Sequence, residues 1–334
     1  MDDNKYGAKP VCPRLSVIIS FFNEEEVLPV LIQRLRDVLR EECDKGMLSG
    51  YELIFVNDSS TDHSEDILIA AAKEQDDIKI ITMSRNFGVS PCVLAGMEYS
   101  TGDLVVYMDA DLQDPPEAIH EMLKAWREGK DIDVVNTVRL SRKGEPLLKL
   151  LLTRIGYRML KYVTNINFLV EAGDFKLLSR RAVKQLIRLK EKQPFLRGLT
   201  YWIGFNQAVV YYHRQARYSG KPKFPLNDYR IIHNFLFSAL ISFSDLPLQF
   251  SLFMGAITTF FAFCFLIYVF VQKFILVHTT PGWTAMMAVI LFLGGMQLLI
   301  MGIIGLYINT IFLETKGRPN YIVSRMFGFD RKTA

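Results

Sequence analysis

Apolar positions follow two different rhythms along the chain. Leu15–Phe21 (LSVIISF) is a continuous apolar run, as in a strand buried on both faces. Glu24 to Leu39 has helical periodicity. Glu52–Asn57 (ELIFVN) predicts a second strand, Ser64–Lys73 a helix, Ile78–Met83 a third strand, Val93–Tyr99 a helix and Leu104–Met108 a fourth strand. Strands alternating with helices indicate a parallel sheet covered by helices. The rhythm then changes. Leu246 to Gln272 holds no charged residue, and Phe274 to Leu313 holds none beyond a neutral His278. Lys273 and the turn-like Thr279-Thr280-Pro281-Gly282 separate the two runs. Each exceeds the roughly 20 residues that cross a bilayer, which predicts transmembrane helices at about 247–272 and 283–313.

Two amphipathic stretches flank these runs. Ile231, Ile232, Phe235, Leu236, Ala239, Leu240 and Phe243 recur at helical spacing, opposite Asn234, Ser238 and Ser242. This pattern reads as a helix lying in the membrane interface. Leu147–Val163 alternates leucines with Lys149, Arg154, Arg158 and Lys161, and reads as an interfacial or a core-facing helix.

Composition supports a chain of mixed character. The 334 residues carry 39 Lys and Arg against 35 Asp and Glu, a net charge of +4, with 50% apolar residues and a mean hydropathy of +0.16. So high an apolar fraction with so little net charge excludes a disordered chain. The many charges equally exclude a bare membrane bundle. Arg214, Arg217, Lys221, Lys223 and Arg230 precede the first apolar run, and Lys316, Arg318, Arg325, Arg331 and Lys332 follow the second. The intervening loop has only Lys273. The positive-inside rule then predicts both termini in the cytoplasm. Met1–Arg14 lacks the apolar stretch of a signal peptide. The expected organisation is a cytoplasmic domain at 1–230, an interfacial helix at 231–245, two spans at 246–313 and a cytoplasmic tail at 314–334. Cys12, Cys43, Cys92 and Cys264 form no CxxC pair, so neither a zinc site nor a disulfide frame is indicated.

The chemistry-bearing residues follow the predicted strands. Asn23, Glu24, Glu25 and Glu26 come after the first, and Asn57 to Asp62 after the second. Ser84, Arg85 and Asn86 follow the third, and Asp109-Ala110-Asp111-Leu112-Gln113-Asp114-Pro115-Pro116 the fourth. Ligands of parallel sheets bind beyond these carboxyl ends. Ser60 or Asp62 reads equally well as a helix cap. Asp109-x-Asp111 is the sharpest feature, because two carboxylates on an extended segment can face one cation. Hard oxygen ligands suit Mg²⁺ or Mn²⁺, shared with phosphate oxygens. Neither GxGxxG nor GxxxxGK[ST] supplies a phosphate cradle of the dinucleotide or P-loop kind.

LSVIISFFNEEE, FVNDSSTD, SRNFG, YMDADLQDPPE, Ala172–Leu177 (AGDFKL) and Arg217–Phe224 (RYSGKPKF), in this order before two apolar runs, resemble the polyisoprenyl-phosphate glycosyltransferases. These are inverting GT-A enzymes of glycosyltransferase family 2, and they include the bactoprenol glucosyltransferases and dolichol-phosphate mannose synthases. The resemblance implies an α/β, mostly parallel GT-A nucleotide-sugar-binding domain with a C-terminal two-helix transmembrane region. It implies that Ser20, Phe22, Glu24, Val56 and Asp58 contact the base and ribose, and that Asp109 and Ala110 lie against the ribose and diphosphate. Asp111 and Gln113, with Asp109, would hold the metal. Arg217 and Lys223 would close over the diphosphate, while Arg139 and Arg154 would bind the lipid phosphate. Asp174 matches the acidic residue near the donor sugar, with Asp174 and Asp111 as the catalytic pair.

The implied reaction moves a sugar from an NDP-sugar, UDP-glucose as first choice, to undecaprenyl or another polyprenyl phosphate at the cytoplasmic face of the inner membrane. The implied partners are the donor, the lipid acceptor, the membrane, further copies in a homotetramer and a flippase for the product, with no nucleic acid. Two alternatives are a processive polysaccharide synthase and a non-catalytic scaffold for a lipid-sugar flippase. The synthases carry Gln-x-x-Arg-Trp, whereas Gln193, Arg197 and Trp202 stand at a different spacing. The chain also departs from the resembled pattern in having Ser20-Phe21-Phe22 for Pro-x-Tyr, Pro222 in the Arg217–Phe224 loop, and Pro91 in a segment usually richer in alanine.

Overall fold

A computed structural model describes residues 9–140, 172–213, 246–274 and 282–329. They fall into two compact units, one within 1–232 and 319–334 and the other within 233–318.

The first unit is built on one sheet. Its elements in chain order are β1 (Arg14–Phe21), α1 (Leu28–Asp44), β2 (Gly50–Asn57), α2 (Ser64–Glu74), β3 (Ile78–Met83), α3 (Val89–Tyr99), β4 (Leu104–Asp109), α4 (Ala118–Glu128), β5 (Val134–Arg139), β6 (Ala172–Ser179), α5 (Arg180–Arg188), α6 (Leu196–Trp202), β7 (Gln207–Tyr212) and β8 (Val323–Phe327). The strand order is β7-β5-β6-β4-β1-β2-β3-β8. All neighbours run parallel except β6, which is antiparallel to β4 and β5, and β8, which is antiparallel to β3. Leu15, Val17, Ile19, Leu53, Phe55, Leu104 and Val106 are fully or almost fully buried, and they pack with Leu28, Leu31, Leu35 and Ile119 of the covering helices. Burial on both faces explains why these strands read as unbroken apolar runs.

Two helices differ from the sequence expectation. The helix expected from Glu24 begins at Leu28, because the amides of Asn23, Glu24 and Glu25 donate to Ser60 Oγ, Ser64 Oγ and Asp62 Oδ2. Pro29 then sits in the first turn, where a missing N–H costs nothing. The helix expected from Val93 begins four residues earlier at Val89, so Pro91 again occupies a first turn. A third finding concerns the segment expected as a tail. Val323–Phe327 is the eighth strand of the sheet, and Arg325 makes a two-pronged ion pair with Glu65 of α2, at 2.7 Å for both Nε and Nη2.

The second unit contains α7 (Leu246–Phe274) and α8 (Trp283–Thr315). Pro247–Phe265 and Phe292–Thr315 are each long and apolar enough to cross a membrane. Phe253, Phe260, Phe261, Phe292, Leu298 and Ile308 are exposed, as lipid-facing side chains would be. The pair fits a two-helix transmembrane region. The amphipathic stretches at 147–163 and 231–243 lie outside the described residues.

Candidate active site

The pairing register assembles the site. Ser20 of β1 is paired with Val56 of β2 on one side and with Asp109 of β4 on the other. In the antiparallel β4–β6 ladder Tyr107 faces Lys176, so Asp109 and Asp174 meet two positions further along. Arg139 ends β5 with its guanidinium beside Gly173. Five neighbouring strands thus bring Val56, Ser20, Asp109, Asp174 and Arg139 to one edge of the sheet.

Two loops beside this edge hold each other. Asn23 Oδ1 accepts from Thr61 N at 2.8 Å, Asn57 Oδ1 accepts from Ser60 N at 2.8 Å, and Glu25 Oε2 accepts from His63 N at 3.0 Å. Asn23 and Ser59 take positive φ of 53° and 65° to permit this. Asp62, one of the two cap candidates, accepts from Ser64 N at the start of α2. The buried Asp58 carboxylate accepts from the amides of Phe87 (2.7 Å) and Gly88 (2.9 Å), tying the third loop to the second. Gly88 has φ 93°, open to glycine and rarely to other residues. Much of the polarity at the strand ends is therefore spent on the loops themselves. Phe22 is half-buried, while Glu24, Val56 and Ala110 are buried.

The acidic loop after β4 turns sharply. Leu112 is buried with φ 56°, a costly conformation for a residue with a side chain, and strain of this kind gathers at functional sites. Asp111 and Gln113 flank it, half-exposed, and Gln113 N donates to Asp111 Oδ1 at 3.1 Å. Ser20 Oγ lies 3.4 Å from Asp109 Oδ1. Burial, then the carboxylates of Asp174, Asp111 and Asp114, push Asp109 up to about 7. This corner is short of positive charge, and its donors are hard oxygens of the kind Mg²⁺ or Mn²⁺ takes. Among the described residues no three His, Cys, Asp or Glu side chains could enclose a metal by themselves. A cation here would complete its sphere from a ligand such as a diphosphate, so the residues fit a shared metal site.

Each of the other two charged residues has a partner. Arg139 Nε donates to Tyr212 Oη at 3.0 Å, and Nη2 lies 3.4 Å from Asp114 Oδ1, which also accepts from Tyr212. Asp174 is clamped by Arg197 of α6, with Nε to Oδ1 at 3.0 Å and Nη2 to Oδ2. Burial opposes ionisation of Asp174, but the Arg197 guanidinium and its hydrogen bonds hold the carboxyl below its usual range. Arg197 is the residue beside the candidate site that sequence reasoning did not count, having considered it only for the absent Gln-x-x-Arg-Trp motif. Arg154, Arg217 and Lys223 lie outside the described residues.

A family model described as glycosyl transferase family 2 matches residues 16–187. The chain is 38% identical to YkcC, an uncharacterized glycosyltransferase of Bacillus subtilis strain 168, over 95% of both chains. It is 33% identical to the bactoprenol glucosyl transferase of Shigella phage SfX, over 93% of this chain and 98% of that one. Among solved structures, it is similar to glucosyl-3-phosphoglycerate synthase of Mycobacterium tuberculosis in complex with Mg²⁺ and uridine diphosphate. That likeness is 18% identity and a TM-score of 0.45, over 70% of this chain and 79% of that one. The chain belongs to glycosyltransferase family 2, and its mixed, mostly parallel sheet is a GT-A fold.

Proposed function

We propose that this protein transfers a sugar, with inversion, from an NDP-sugar to a polyprenyl phosphate at the cytoplasmic membrane face. UDP-glucose is the first choice of donor. The observation that carries the reading is the convergence of Asp109, Asp174 and Arg139 on one sheet edge, with Asp111 on the adjoining loop. The near full-length likeness to a bactoprenol glucosyl transferase and the two apolar helices support a lipid acceptor.

In this reading an oxygen of the acceptor phosphate attacks the anomeric carbon, the bond from that carbon to the diphosphate oxygen breaks, and the nucleoside diphosphate leaves. The second pKa of a phosphate monoester is about 6, so the nucleophile needs no strong base. Asp174 suits that chemistry. Held ionised by Arg197, it orients the sugar and stabilises positive charge at the anomeric carbon. Ser20, Phe22, Glu24, Val56, Asp58 and Ala110 form the nucleotide side of the site. Asp111, with Asp109 and Gln113, would hold Mg²⁺ or Mn²⁺, which neutralises charge on the departing diphosphate when bound. Arg217 and Lys223, both outside the described residues, would do the same. Arg139 and Arg154 receive the acceptor phosphate, Arg139 from its place beside Gly173. The organisation expected from the sequence, with both termini cytoplasmic, belongs to the same reading, as do a homo-oligomer and a separate flippase.

The test is direct. The detergent-purified chain is incubated with undecaprenyl phosphate, Mg²⁺ and a panel of NDP-sugars, and the lipid is followed by mass. One glycosyl-phospholipid is expected. A polymeric product would replace this reading with a processive synthase, and no product from any donor would refute it.

A further inference from the structure

Below Asp174 the sheet carries a polar row at positions where the flanking strands β1, β2 and β7 carry Ile18, Ile54 and Val209. Tyr107 of β4, Lys176 of β6 and Asn136 of β5 are register partners across three strands. Lys176 and Asn136 are fully buried and Tyr107 is 2% exposed. Removing an ammonium from water is costly, and a lysine is retained there only with partners. Lys176 Nζ donates to Thr200 Oγ1 at 2.6 Å and stands 4.8 Å from the centre of the Tyr201 ring. Thr200 Oγ1 in turn donates to the carbonyl of Arg197 at 3.0 Å. Gln207 of β7 donates to the Thr200 carbonyl at 3.0 Å and accepts from Asn136 at 2.7 Å. Strand β6 therefore grips α6 twice, through Asp174 to the Arg197 side chain and through Lys176 and Thr200 to the Arg197 backbone.

We propose that Lys176 is a positioning residue for the transfer reaction, fastening α6 so that Arg197 holds the Asp174 carboxylate in place and adding positive charge beneath it. The inference rests on the function proposed above and extends it to a residue outside the substrate-contacting set. The ionisable groups around Lys176 are Asp174 on its own strand, Arg197 and Tyr201 on α6, and Tyr107 on β4. Strands β5 and β7 contribute the neutral Asn136 and Gln207. Burial pushes Lys176 down to about 7, against the pull of Asp174 and with the push of Arg197. Its charge is therefore present below that pH and lost above it, while both substrates are anions. Transfer should carry an alkaline limb that belongs to Lys176.

Two variants of the full chain in detergent test this, Lys176→Met and Thr200→Val. Amide hydrogen exchange across 196–202 and the pH profile of kcat are both measured. In both variants exchange in α6 should quicken about tenfold, and kcat should fall about tenfold with the donor KM unchanged. Lys176→Met should lose the alkaline limb, whereas Thr200→Val, which keeps the lysine, should retain it. A general loss of folded protein would scale the profile without reshaping it, so an unchanged profile shape in Lys176→Met overturns the proposal. Native exchange rates in α6 overturn it as well. A wild type that glycosylates no lipid would defeat the functional reading instead, and the exchange rates would still decide the anchor.

Discussion

The two ends of the central strands treat acidic side chains in opposite ways. At the amino end, Glu52 of β2 is 1% exposed and saturated with donors. Oε1 accepts from Ser16 Oγ (2.5 Å), Thr101 N (2.7 Å) and Thr101 Oγ1 (3.0 Å), and Oε2 from Lys79 Nζ (2.7 Å). Ser16 Oγ also accepts from Gly102 N, and a side chain at 102 would strike the Ser16 backbone at 2.7 Å. Burial alone would raise the Glu52 carboxyl, but Lys79, Ser16 and Thr101 carry it down to about 2. At the carboxyl end, loss of solvent and then the carboxylates of Asp174, Asp111 and Asp114 push Asp109 up to about 7. One carboxylate is saturated with donors by the fold, and the other stands among like charges. The difference separates structural from chemical polarity more sharply than burial does, since both groups sit on the same sheet.

The contrast can be broken by substitution at either end. Asp111→Asn should reduce transfer roughly 10³-fold with the melting temperature unchanged, read from the rate of lipid product formation. Wild-type turnover in that variant would remove Asp111 from the chemistry. Glu52→Gln should cost about 3 kcal/mol of stability in denaturant titration while turnover per folded molecule stays native. Because the folded value of Glu52 is depressed, its contribution is complete above the ordinary glutamate range near 4.5 and disappears as pH falls towards about 2. Wild type and Glu52→Gln should therefore converge in stability at the acid end, and a constant gap between them would contradict the assignment. Arg197→Ala should lower kcat about tenfold with little change in donor KM, because the Asp174 carboxylate loses the partner that orients it. Arg325→Ala sharpens the comparison least. Its ion pair with Glu65 is largely exposed on the arginine side, so less than about 1 kcal/mol should be lost.

The apolar rhythm makes β1 to β4 legible because those strands are aliphatic on both faces. It passes over β5 and β6, whose interiors contain Asn136, Thr137 and Lys176, all fully buried. Polar residues in a core look like loop residues in a one-dimensional pattern. β8 is silent for another reason, being a five-residue, largely exposed edge strand interrupted by Ser324 and Arg325. The acidic turn after β4 is readable from spacing alone. The Asp174–Arg197 clamp is not, since its partners are 23 residues apart and meet only when α6 folds back on β6. The loops after β1 and β2 hold a structural role that their spacing does not reveal. Their polarity suggests ligand contact, and Asn23, Glu25, Asn57, Asp58 and Asp62 each also accept from backbone amides.

The eighth strand imposes an order of events on synthesis. Val323–Phe327 follows both apolar helices in the chain, yet it covers the edge of β3, which is assembled from residues near position 80. While the ribosome is still making α7 and α8, that edge is bare, with its amides and carbonyls open to any other extended peptide. Chains stalled or clipped before residue 323 would keep it so. Nascent and truncated forms should then aggregate through the β3 edge and attract chaperones more than the finished chain, in which β8 covers that edge.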